Sequence, residues 1–348
     1  DSVILHVVSE ADTEITRSNG EQIPQLLLTC PENVQLHYHE LCVADQYPAC
    51  YPILASLPKL TIHSWLTALQ TERLEQKAQL ITQRLKHCNS NWEDAFFITL
   101  ARNFGFGLNG DAFETWAGLL PFRAMDKHRN DLFQIEAFFY GLAGLLEETL
   151  LKKEQEDEYS LRLCKEFRYL QRKFEIGQGM DATLWRFLRL RPENFPHIRL
   201  AQLAYLYQKG DKLFSRLLEA ETLADVRTLL NARTSPYWEN HYLFGRLSSQ
   251  KEKAMGERSK DLIIINTVVP FLYTYGLHKA DERMCERAGR FLEELKAESN
   301  HIIRSWSDAG LPVVSAADSQ ALIQLQKEYC DKRKCLYCRF GYEYLKHT

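Results

Sequence analysis

The sequence predicts a mainly α protein with a small N-terminal β element, and three observations predict it. Glycine and proline are scarce, 16 and 11 of 348 residues, which favours long helices over a turn-rich sandwich or barrel. Two short strand-like runs open the chain. From about Pro58 the apolar spacing becomes helical. Apolar residues make up 45% and charged residues 26%, the balance of a folded globular chain and not of a disordered or fibrous one.

The first run, Val3 to Val8, is apolar on both of its alternating faces, the mark of a strand inside a sheet. The second, Ile23 to Leu28, carries Pro24 at a position that suits a strand start or an edge. Leu66, Leu69, Leu74, Ala78, Ile81 and Leu85 then form one helical stripe. Ser90-Asn91-Trp92-Glu93 reads as a capping box opening a helix through Phe104. Further helices are expected to about Leu120, over 129–148 and 154–174, near 199–208, 212–218 and 223–230, then near 260–277, 279–307 and 316–329. Ser315 to Asp318 is a cap for the helix at 316. The aromatic stretch Arg233 to Gly245 reads as a packed loop. No fixed-period repeat is present, which excludes a solenoid. Two strands cannot bury themselves. The reading is therefore residues 1–57 as the end of an α/β sheet domain whose other strands precede residue 1, and 58–348 as an all-α domain closing in a cysteine cluster.

Net charge is −3, so the chain is no wholesale binder of polyanions. The longest uncharged run, Leu262 to Leu277, is broken by Asn266, Thr267, Pro270 and Thr274 and is too short for a membrane span. Nine cysteines, an odd number spread over a long chain, fit a reducing cytoplasm better than a disulfide framework.

Two segments carry chemistry. Cys330, Cys335 and Cys338 bring three thiols close in sequence beside Lys332, Arg333, Lys334, Arg339 and Lys346, whose charge favours thiolate. The two-residue gap between Cys335 and Cys338 is half of a zinc site, with zinc ahead of an iron–sulfur cluster. His347, Cys285 and His301 are candidates for a fourth ligand. The competing reading is three buried free thiols. The stretch Arg162 to Lys212 holds eleven Lys or Arg against five Asp or Glu. In it Arg186, Arg189 and Arg191 interleave with Trp185, Phe187 and Leu188, and the rigid Pro192–Pro196 loop offers Asn194 and Arg199 to an anion. Cations can neutralise phosphates while aromatics stack on bases, making DNA or RNA the candidate partner. The alternative is a solvated helix face. His37 and His39 would share one face of a strand. His6 is a polar residue in an apolar strand. No phosphate-binding loop, dinucleotide fingerprint, nucleophile elbow or zinc-protease helix occurs.

The runs Val3-Ile-Leu-His-Val-Val8, Ile23-Pro-Gln-Leu-Leu-Leu28, Glu136-Ala-Phe-Phe-Tyr-Gly141, Arg191-Pro-Glu-Asn-Phe-Pro-His-Ile-Arg199 and Asn266-Thr-Val-Val-Pro270, with the closing cysteines, resemble a bacterial family, domain of unknown function 2851. Members of that family carry further N-terminal sequence similar to a restriction-endonuclease-like core. The resemblance implies metal-assisted phosphodiester cleavage with a divalent metal held upstream, and His6 facing that centre. The alternative is a non-catalytic helical interaction module with a structural zinc or iron–sulfur site.

Overall fold

Helices carry the chain from Glu32 onward. The computed structural model describes residues 2–45, 48–147, 157–210 and 212–346. Among these, strands are confined to two small sheets. β1 (His6–Val8) pairs in parallel with β2 (Gln25–Leu27). β3 (His241–Leu243) and β4 (Arg246–Leu247) form a hairpin. The mainly α class holds, and the hairpin is a second β element, its first strand inside the stretch expected as a loop and its second just past it.

The chain divides into two compact units. One joins residues 1–73 to 297–348, and the other is 74–296. In the first unit β1 is shorter than the expected strand, and Val3, Ile4, Leu5 and Val7 are exposed. A single neighbouring strand buries little of its partner. Residues expected as strand around His37 instead form helix α1 (Glu32–Val43). His37 and His39 thus lie two positions apart on a helix, where they do not share a face. His37 reaches the Leu345 carbonyl at 3.4 Å and meets the Tyr344 ring edge-on, while His39 is exposed. The core of this unit gathers Leu41, Ile53, Leu54, Leu66, Leu69, Trp306, Leu322, Leu325 and Phe340. After α2 (Tyr51–Leu54), α3 (Lys59–His87) crosses from the first unit into the second. All six residues of its expected stripe are buried.

The second unit is built on paired helices. α4 (Trp92–Phe104) packs on α5 (Gly110–Gly118). After the short α6 (Phe122–Asp126), α7 (Leu132–Leu142) packs on the helices Glu158–Lys173 and Pro196–Lys209. Gly141 is required at the first of these contacts, because an added Cβ would sit 2.3 Å from the Phe167 ring. The uncharged run at Leu262–Leu277 is a buried helix with a π-helical stretch at Ile264–Val268, followed by the helix Val269–Lys279. The helix expected over 279–307 is two, Glu282–Glu294 and His301–Asp308. No helix among the described residues is long and apolar enough to cross a membrane.

Candidate functional site

The closing cysteines sit where a helix changes pitch. Ala316–Gln324 starts at the expected cap: the Ser315 hydroxyl accepts from the Asp318 amide, and the Asp318 carboxylate accepts from the Ser315 amide. It then widens to a π-helix over Leu325–Cys330, a departure that recurs at functional sites. The wider turn ends on Cys330. Tyr329, one residue before, donates to Glu72 at 2.8 Å, and Gln324 donates to the same carboxylate at 3.0 Å. Arg333, left-handed at φ 52°, donates to the carbonyls of Leu41 and Cys42 at the last turn of α1. A cation is favoured at that end of a helix.

Cys335 opens a single 3₁₀ turn, and Cys338 precedes the helix Arg339–Lys346. The free amides of Phe340 and Gly341 face the Cys338 thiol. Gly341 lets this helix lie against the Cys335 backbone, since a Cβ there would meet the Cys335 carbonyl oxygen at 2.2 Å.

Cys330, Cys335 and Cys338 border one cavity of about 30 Å³, and the fourth thiol on it is Cys50. Leu41, Ala49, Trp306, Tyr329, Arg333 and Gly341 complete the wall. Cys50 lies in the turn before α2, between Pro48 and Pro52. It is remote in sequence from the other three, and only the packing of unit 1 reveals it. The other proposed fourth ligands are elsewhere. Cys285 donates to Tyr273 within the second unit, His301 is exposed at a helix start, and His347 lies outside the described residues.

Electrostatics at the cavity differ from the sequence expectation. Adjacent cations were expected to favour thiolate, yet burial pushes all four thiols up, and each of Cys50 and Cys330 is raised further by the neighbouring cysteines. The Arg333 charge lowers Cys335 only in part. Lys332 and Arg339 are engaged with Glu328 and Glu343, and Lys346 lies over the Tyr342 ring. None of the nine cysteines is in a disulfide. The four thiols rim the cavity without closing on a point, and among the described residues no three His, Cys, Asp or Glu are set to hold an ion.

His6 is half-buried on β1, with Gln25 Nε2 at 3.4 Å from its Nδ1. Of the basic residues, Arg186, Arg189 and Arg191 are exposed. The backbone of Arg186 is fixed by two hydrogen bonds to the Asn109 amide side chain. Arg199 does not join them on the surface. It is 6% exposed, holds Gln202 at 2.8 Å and Asn194 at 2.5 Å, and lies 4.4 Å over the Phe106 ring. Burial pulls its guanidinium down to about 10. Its position on the first turn of an apolar helix turns it inward, apart from the three exposed arginines. The helix Glu158–Lys173 buries Leu163, Cys164, Phe167 and Leu170 and turns its cations outward.

No curated protein and no solved structure matches the chain. The profile of one family, described as protein of unknown function (DUF2851), matches residues 1–301, a span that includes Cys50 and ends before the three closing cysteines. With most of its length matched, the chain belongs to the DUF2851 family.

Proposed function

We propose that the chain is a helical interaction module whose residues 1–73 and 297–348 are held together by a structural zinc ion on Cys50, Cys330, Cys335 and Cys338. The supporting observation is that four thiols from two stretches remote in sequence border one cavity. Soft thiolates are the donor set zinc takes in closed structural sites. The cavity has room for a water-sized body. Amide donors at Cys338 are the kind of supporting contact that orients metal ligands. A dication reverses the cost that burial imposes on thiolates, because binding releases the protons. Zinc holds sulfur at about 2.3 Å, so occupancy would require the four thiols to converge. Metal-assisted phosphodiester cleavage, the reading implied by the family's upstream sequence, rests on that resemblance alone.

Elemental analysis of protein purified without chelator tests the proposal. One zinc per chain in colourless protein is expected, with Cys50→Ser and Cys338→Ser each losing it. A brown protein with iron would replace zinc by an iron–sulfur cluster. Metal-free protein, with the four thiols reacting only on unfolding, would leave a packed set of thiols and end the reading.

A further inference from the structure

Arg199 and Lys253 are two cations taken out of water with no carboxylate bonded to either. Arg199 stands on the first turn of the helix Pro196–Lys209, after the 3₁₀ turn Pro192–Asn194. Residues 251–256 run past it without regular structure, tied to the helix by Gln202 Nε2 donating to the Lys253 carbonyl at 3.0 Å. Between the two segments lies a pocket of about 320 Å³, within the size range of small-molecule sites.

The polar accounts of the two cations are incomplete. Arg199 gives its guanidinium hydrogens to two neutral side-chain amides, Gln202 and Asn194, and its Nε has no acceptor. Lys253 is 4% exposed, and its Nζ donates to the carbonyls of Trp238 and Glu239 over the Tyr242 ring. The Glu193 and Glu239 carboxylates act on these cations only through space. Glu193 pairs with Lys251 at 2.6 Å, and Glu252 pairs with Arg233 at 3.2 Å. Burying a charge without a counter-ion is strongly unfavourable. An unused buried donor adds its own desolvation cost. A bound anion would relieve both at once.

We propose that this pocket binds a small phosphate-bearing molecule, its phosphate seated against Arg199 and Lys253. Two buried cations match a doubly charged oxyanion better than a carboxylate, and guanidinium groups recognise phosphate by paired hydrogen bonds. Lys251 at the rim draws the anion in, and Glu193 opposes it. The recessed cations select a terminal or free phosphate over the backbone of a polymer, because a continuous strand tracks cations along an open groove. The exposed Arg186, Arg189 and Arg191 are not in the pocket wall. Neither this site nor its test depends on the thiol cavity.

Calorimetric titration of the full chain with inorganic phosphate tests the site, with acetate and an unphosphorylated oligonucleotide as competitors. Saturable phosphate binding is expected. Lys251→Glu should weaken it by roughly fivefold, the upper scale of one exposed charge pair, and Glu193→Gln should tighten it. Arg199→Lys should weaken it by at least about tenfold, as paired charge-assisted bonds are lost. The two exposed variants keep the test valid if Arg199→Lys fails to fold. Absence of saturable binding, indifference to both Lys251→Glu and Glu193→Gln, equal binding of acetate, or displacement by the oligonucleotide would each overturn the proposal.

Discussion

Glu136 on α7 has no exposed surface, and burial pushes its carboxyl up to about 7 against the Tyr159 and Ser235 hydroxyls, which favour the charged form. Its folded value lies above the ordinary 4.5, so its contribution to stability is full below pH 4.5 and is lost as pH rises through 7. His197 runs the other way. Burial pulls it down to about 3, so its contribution is present above 6.5 and is lost as pH falls toward 3. Both groups lie against Tyr140: its hydroxyl donates to the His197 carbonyl at 2.7 Å, and the buried Glu136 raises its pKa further. Between pH 4.5 and 6.5 the two slopes oppose each other. Glu136→Gln should therefore leave stability rising with pH across that window, and His197→Phe should leave it falling, each by up to about 1.4 kcal/mol per pH unit. Urea unfolding across pH measures this, and identical profiles for wild type and Glu136→Gln would refute the buried-acid assignment. The sequence places Glu136 in an apolar helix, but its partners Tyr159 and Ser235 come from other elements. The same holds at the thiol cavity. Cys330, Cys335 and Cys338 announce themselves by spacing, whereas Cys50 carries no local signal beyond its two flanking prolines.

At the scale of elements, periodicity was the readable part, and partner choice was not. The stripe from Leu66 to Leu85 is buried as its spacing demands. The Ser315 cap forms with its reciprocal carboxylate. The box at Ser90 does not form. Ser90 is left-handed at φ 64°, and Asn91 caps α4 by accepting from the Glu93 and Asp94 amides. Glu93 is thereby released from its own helix. Its carboxylate accepts from the amides of Phe214 and Ser215 at 3.0 and 2.9 Å, at the start of the helix Leu213–Glu219. That helix follows left-handed Lys212 and has no cap from its own N-cap side chain. A carboxylate at these free donors is favoured by both hydrogen bonding and the helix dipole. Glu93→Ala should cost about 1–2 kcal/mol, seen as a lower urea midpoint with unchanged slope. It should also speed amide exchange at Phe214 and Ser215. A loss under about 0.3 kcal/mol, within the range of surface substitutions, would remove the remote cap. Local patterning identifies a capping residue, but which amides it reaches is decided by packing.

For the whole molecule, the division between units falls inside α3, between Arg73 and Leu74, and again between Lys296 and Ala297. No change of composition marks either point, because a continuous amphipathic helix crosses the first. Residues 74–296 contain their own core, including Phe96, Trp116, Phe138, Tyr140, Trp238 and Phe271, all essentially without exposed surface. Residues 1–73 do not. Their buried side chains Leu41, Ile53, Leu54, Leu66 and Leu69 share one cluster with Trp306, Leu322 and Phe340 from beyond residue 296. A unit with its own core folds alone, and one with half a core does not. A fragment spanning 74–296 should therefore unfold cooperatively by circular dichroism and keep the pH response of Glu136. The remaining turns of α3, with Leu74, Ala78, Ile81 and Leu85 buried, stay anchored in it. A fragment ending at 296 should show the same single transition, with residues 1–73 open to protease, since removing 297–348 takes away both the partner side chains and three of the four thiols at the cavity. Cooperative protection of 1–73 in that shorter chain would show that the N-terminal segment has a core of its own, and would separate Cys50 from the C-terminal cysteines as a folding partner.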